Sequence, residues 1–232
     1  MWYSDVPLAF RNEIVIGDAR LLAEQLPNAC VDLVFTDPVY ENLEDYEWLA
    51  ATAQRVLKPG KSLLAWCGNK GQYAVKEAME RYLTFVTPLT YVKIAKTYRL
   101  KAYRAFSWAT PCLWFIKPGE GTLQDHRKHD WLIDTVLDVD SNCIVSTAPP
   151  PSGSYKWHKN PEAYERWLLA LTKPGDVIWD PFTGSGSLPV LCKEQHRNFM
   201  ASEILPEVGL KAQRRLANTQ AMHPEFVEQA RF

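Results

Sequence analysis

The chain has 232 residues, 47% of them apolar, and a formal net charge of −1, which allows one sizeable core and a single domain over 1–232. Cys30, Cys67, Cys112, Cys143 and Cys192 stand far apart with no Cys-x-x-Cys pair, which argues against a disulfide framework or a zinc site and for buried thiols. No run of about 18 apolar residues occurs and Met1 to Phe10 lacks a charged-then-apolar leader, so a cytoplasmic protein with neither membrane nor metal partner is expected.

Taken in chain order, apolar alternation and β-branched residues predict strands at 13–16, 31–36, 62–67, 84–94, 109–116, 176–179 and 198–202. Helical spacing predicts helices at 43–57, 72–81, 161–171, 188–194 and 206–216. The β/α alternation implies an α/β chain with a largely parallel sheet covered by helices. Leu57-Lys58-Pro59-Gly60 and Leu171-Thr172-Lys173-Pro174-Gly175 each close a helix and deliver the chain into a strand. The segment 119–155 contains His126-Arg127-Lys128-His129 and a Pro149-Pro150-Pro151 run, and reads as loop-rich surface. His126 and His129 have no further ligand at metal spacing and read as surface histidines.

Two strand ends carry chemistry. The strand at 31–36 runs into Asp37-Pro38-Val39-Tyr40. Loops at the carboxyl ends of parallel strands are where ligands bind. To methylate an exocyclic amino group, a site must accept its N–H hydrogens and favour a tetrahedral, nucleophilic nitrogen. The Asp37 carboxylate and the Pro38 carbonyl supply two acceptors, and Tyr40 can stack on an extruded base. Taken alone, the same four residues also read as an ordinary strand-to-turn junction. The second strand end is Asp180-Pro181-Phe182-Thr183-Gly184-Ser185-Gly186, a glycine-rich loop entering a helix. Its glycines permit close backbone approach, and the helix start offers free N–H donors to a carboxylate. The endings of phosphate-binding loops are absent.

With these motifs in this order, the chain resembles the β-type, permuted DNA amino-methyltransferases that modify N6 of adenine or N4 of cytosine, over about 14–216. The family pattern places D-P-P-Y before D-P-F-x-G-S-G, as here. The resemblance implies a Rossmann-like S-adenosylmethionine-dependent methyltransferase fold: a mostly parallel sheet, helices on both faces and a late antiparallel strand. It implies S-adenosylmethionine as cofactor, with Asp180, Phe182, Gly184, Ser185 and Gly186 around its methionine part. Glu203 matches the residue that holds the ribose hydroxyls, and Asp18, in Gly17-Asp18-Ala19, the one that contacts the adenine. Asp18 reads equally well as a helix cap. Trp157-His158-Lys159-Asn160-Pro161 is a partial match to a further family element. Val39 stands where the family has a second proline, which implies a looser loop and retained but slower chemistry.

The resemblance implies DNA as partner, allows a homodimer, and points to 119–155 as a small target-recognition insertion. From Arg81 to Gly119 there is no acidic residue against seven basic ones, and Lys93, Lys96, Arg99, Lys101 and Arg104 form the densest cluster, read as a loop that contacts the DNA backbone. The aromatics flanking it read as sheet core. The function expected is methyl transfer to adenine N6 by direct displacement after base flipping, the leading aspartate of the catalytic motif resembling the adenine branch. N4 of cytosine, a catalytically silent nucleic-acid-binding subunit, and an RNA or protein-amide substrate are the alternatives.

Overall fold

The computed structural model describes residues 6–93, 98–100, 105–107, 109–119, 142–146 and 161–223. In chain order they form β1 (Glu13–Ile16), α1 (Ala19–Ala23), β2 (Val31–Thr36), α2 (Leu43–Val56), β3 (Leu57–Trp66), α3 (Gln72–Met79), β4 (Thr84–Lys93), β5 (Tyr98–Leu100), β6 (Ala105–Ser107), β7 (Ala109–Ile116), β8 (Cys143–Ser146), α4 (Glu162–Leu171), β9 (Val177–Asp180), α5 (Ser187–Glu194), β10 (Asn198–Glu203) and α6 (Pro206–Ala217). Eight strands make one sheet in the order β1-β10-β9-β2-β3-β7-β4-β8. Every pairing in it is parallel except those of β7 with β3 and β4. This is the mostly parallel sheet with one late antiparallel strand that the motif order implies.

Helices cover both faces. On one, α2 buries Tyr46, Leu49, Ala50, Ala53 and Val56 at helical spacing against Val31, Val34, Leu63 and Ala65. On the other, α4 buries Ala163, Tyr164, Trp167 and Leu168 against Leu33, Phe35, Leu64 and Trp66. All six residues of β2 are buried, as befits a central strand covered on both sides. One of them is Asp32, whose carboxylate accepts from Lys58 Nζ at 2.9 and 2.7 Å and from the Val177 N–H at 3.0 Å. It ties the starts of β2, β3 and β9 together.

Four expectations change. The helix α1 is too short to show a period, and Asp18 starts it by accepting the Arg20 N–H at 2.8 Å. Strand β3 begins at Leu57 rather than 62: Val31 pairs with Leu57 and Leu33 with Ser62, so Pro59 and Gly60 sit in a bulge of the strand, where proline's missing donor is tolerated. Within 119–155, read as loops, Cys143–Ser146 is an edge strand parallel to β4, with Ile144 buried and Val145 exposed. Four residues give too little alternation to rise above the surrounding turn residues. The predicted loop after 94 contains an antiparallel pair, Tyr98–Leu100 with Ala105–Ser107. No described helix is long and apolar enough to cross a membrane, and among the described residues no three His, Cys, Asp or Glu gather as a metal site. Cys30, Cys67, Cys112 and Cys192 are buried thiols and Cys143 is partly buried.

Candidate active site

Strands β1, β10, β9 and β2 are neighbours and parallel, so their carboxyl ends form one edge. Ile16 is in register with Glu203, Ala201 with Asp180, and Val34 with Trp179. Asp18, Glu203, Asp180 and Asp37, four acidic residues spread over 186 positions of sequence, thereby come to the ends of four adjacent strands. Sequence spacing alone could not have placed the two motifs side by side; the pairing of β2 with β9 does.

The link between them is Thr36. Thr36 itself is wholly out of solvent, and its hydroxyl donates to Asp180 Oδ1 at 2.6 Å and accepts the Phe182 N–H at 3.1 Å. Burial pushes the Asp180 carboxyl up to about 7, against the hydrogen bond from Thr36, which favours its ionised form; the nearby Asp37 charge raises it further. Tyr40 keeps 36% of its surface exposed, yet burial of its hydroxyl, followed by the nearby Asp37 charge, holds the phenol well above its ordinary range. The Tyr40 ring lies against Gly68, just beyond β3: a Cβ there would stand 3.4 Å from Tyr40 Cβ and Cδ2.

In the glycine loop, Gly184 has φ +54° and donates its N–H to Glu203 Oε2 at 3.0 Å, while Glu203 Oε1 accepts the Leu205 N–H at 2.9 Å. A Cβ on Gly184 would point into open space. Gly186 has φ +75°, but a Cβ there would meet Ala212 Cβ at 3.0 Å and Ile14 Cδ1 at 3.2 Å. Gly184 thus faces the open edge, and Gly186 lets α5 pack on α6 and β1. The Ser185 carbonyl and Ser187 hydroxyl accept from Arg215 Nη1 at 3.4 and 3.2 Å.

A second set of residues had no signal in the sequence. Arg20, beyond Asp18, pairs with Asp45 Oδ1 at 2.8 Å, while Asp45 Oδ2 accepts from Asn42 Nδ2 at 2.8 Å. The Arg20 guanidinium also lies 5.2 Å from the centre of the Trp48 ring, and Phe182 meets that ring edge-on at 5.8 Å. The first two turns of α2, through Asp45 and Trp48, thereby hold together Asn42 just beyond the catalytic loop, the Asp18 turn and the aromatic of the glycine loop.

The basic cluster is only partly within view. Lys93 ends β4 and Arg99 is the middle residue of β5, while Lys96, Lys101 and Arg104 lie outside the described residues, as do His126, His129, His158, Lys159, Asn160 and most of 119–155. Two other cations of the acid-free stretch are engaged within the fold: Arg81 pairs with Glu47 at 2.9 Å and Lys117 Nζ donates to the Leu57 carbonyl at 2.6 Å. Tyr91, Trp114 and Phe115 are core, as their pattern predicts. A cleft of about 730 Å³ opens at the opposite, amino-terminal ends of β1 and β10. Its Lys193, Gln213 and Arg197 are spent on the Leu216, Ile14 and Thr172 carbonyls, so it is part of the scaffold.

Comparison with known proteins bears on this edge. Residues 31–213 match the family model described as DNA methylase, N6/N4 type. The Type II methyltransferase M.HpaI of Haemophilus parainfluenzae is 24% identical over 88% of this chain and 73% of its own length. Among solved structures, the M1.HpyAVI–SAM complex superposes with a TM-score of 0.71 at 22% identity, over 88% of this chain and 98% of that one. The cytosine-N4-specific PvuII DNA methyltransferase superposes at 0.73 with 16% identity, over 94% and 90%. These two likenesses establish the fold.

Proposed function

Because the chain belongs to the N6/N4 DNA methylase family, we propose that it transfers a methyl group from S-adenosylmethionine to N6 of adenine in DNA, with Asp37, Pro38 and Tyr40 acting on the base. The observation that carries this is the adjacency of the Asp37 and Asp180 strand ends, joined through Thr36.

The carboxyl edge suits the cofactor in three respects. The open side of Gly184 leaves room for a ligand. Asp180 is a buried carboxylate suited to a cationic partner. Glu203 uses one lone pair on each oxygen for backbone N–H groups and keeps others for hydroxyl donors. Asp180, Phe182, Gly184, Ser185, Gly186, Glu203 and Asp18 are the residues that would hold it. The bound cofactor supplies an electrophilic methyl on a sulfonium.

On the other side, Asp37 and the Pro38 carbonyl accept the two amino hydrogens of the extruded base, which localises the nitrogen lone pair for in-line displacement. Tyr40 keeps the base out of the stack. Lys93, Lys96, Arg99, Lys101 and Arg104 neutralise backbone phosphates. Adenine is preferred because the motif opens on aspartate.

The test is mass spectrometry of nucleosides from DNA incubated with the protein and S-adenosylmethionine. N6-methyladenine that disappears in Asp37→Ala is expected. N4-methylcytosine without N6-methyladenine would overturn the choice of base, and cofactor binding with no product would make the chain a silent subunit.

A further inference from the structure

We propose that Thr36 is a positioning residue whose hydroxyl locks the cofactor loop to the base-binding strand, so that cofactor affinity and the placement of Asp37 depend on one side chain. The proposal rests on the reading that the 180–186 loop holds S-adenosylmethionine.

The backbone ladder between β2 and β9 pairs Leu33 with Ile178 and Val34 with Trp179. Beyond it, both chains continue to the carboxyl edge, and the Thr36 side chain spans them. It uses its one donor on Asp180 Oδ1 and one of its two acceptor sites on the Phe182 N–H. The bond to Asp180 is enclosed, Thr36 being 0% exposed and Asp180 4%, and the one from the Phe182 N–H is partly buried. Asp37 follows directly in the chain, so the bonds that hold residue 36 against Asp180 and Phe182 also restrain the point from which the catalytic carboxylate leaves the strand. Valine would keep the shape and remove the hydroxyl. Asp180 would lose its short charge-assisted donor in a place water does not reach, and the Phe182 N–H would lose its hydroxyl acceptor.

Removing the hydroxyl also alters the titration of Asp180, because the Thr36 bond is the strongest influence favouring its ionised form. The titratable groups that sense the Asp180 charge are Asp37 beyond β2, Tyr164 of α4 and Cys192 of α5; burial holds the phenol and the thiol neutral. Asp180 is therefore the group whose ionisation the ligand meets.

Calorimetric titration with S-adenosylmethionine from pH 6 to 8 tests this on wild type, Thr36→Val, Thr36→Ser, Thr36→Cys and Asp180→Ala. Thr36→Val is expected to bind about tenfold more weakly or worse, with the midpoint of the pH dependence moved above that of wild type. Thr36→Ser keeps the oxygen and should stay within about threefold of wild type with an unmoved midpoint, since its bonds are those of the native hydroxyl. Thr36→Cys, with a weak donor, should fall between them and decides the matter if the valine variant does not fold. Wild-type affinity and midpoint in Thr36→Val or Thr36→Cys would overturn the proposal. So would a serine variant as weak as the valine one, which would make the methyl group the important part. If Asp180→Ala binds as tightly as wild type, the assignment of the cofactor loop fails, and the role of Thr36 in binding fails with it.

Discussion

Gly184 and Gly186 belong to one motif, yet their surroundings predict opposite outcomes for alanine. At Gly186, φ is +75° and the added Cβ would sit 3.0 Å from Ala212 Cβ and 3.2 Å from Ile14 Cδ1. The left-handed backbone costs about 1–2 kcal/mol for alanine and overpacking about 1–3 kcal/mol. Against this, the less flexible unfolded chain returns about 0.4–1 kcal/mol. Gly186→Ala should therefore lose about 1–4.6 kcal/mol, which at this chain length lowers the melting temperature by about 2–18 °C. At Gly184, φ is +54° and the new methyl meets nothing within 4 Å, so backbone strain alone remains, at about 0–1.6 kcal/mol net. The methyl does project into the space assigned to the cofactor. Melting curves without ligand, followed by titration with S-adenosylmethionine, separate the two. Gly184→Ala should melt within about 6 °C of wild type and bind the cofactor at least tenfold more weakly, about 1.4 kcal/mol. A Gly184→Ala protein that melts as low as Gly186→Ala, or binds as wild type, would refute the division of roles.

Four further outcomes follow from the same geometry. Asp180 titrates at about 7 in the fold against 3.8 for the free side chain, so the native state holds the extra proton between those values. Its contribution to stability is therefore greatest below about pH 4 and falls as pH rises through 7, whereas a cationic cofactor favours the ionised form. S-adenosylmethionine affinity should rise from pH 6 to 8, and Asp180→Asn should abolish that rise. Arg20→Ala removes an exposed ion pair and a cation–π contact, so calorimetry should show cofactor affinity falling several-fold while stability drops by only about 1 kcal/mol in thermal melts. Asp32→Ala leaves the Val177 N–H without its acceptor at the far end of the sheet; chemical denaturation should show a loss of about 1–3 kcal/mol, with cofactor affinity unchanged. Val39 is 66% exposed, so proline has room there. Steady-state turnover should rise in Val39→Pro, and an unchanged rate would show that Val39 does not loosen the loop.

What the sequence made legible and what it did not divide along contact range. Strands ending in Asp37 and Asp180 can be read because alternation, a carboxylate and a proline or glycine turn are neighbours in the chain. So can helices on both faces, because α2 and α4 carry their buried residues at helical spacing. Edge strand β8 could not be read: its four residues are fixed by pairing with β4, more than 50 positions away. Nor could the Arg20, Asp45 and Trp48 set, where three ordinary-looking surface residues of two helices meet. Thr36 is the sharpest case. In the sequence it is one more β-branched residue closing a strand, which β-propensity alone accounts for. Its distinguishing contact lies 144 positions away, and only the parallel pairing of β2 with β9 brings that contact within reach. A motif search reports the two acidic loops as separate matches, but the chemistry proposed here requires them at a fixed separation, and a hydroxyl that belongs to neither glycine loop nor catalytic quartet spans that separation.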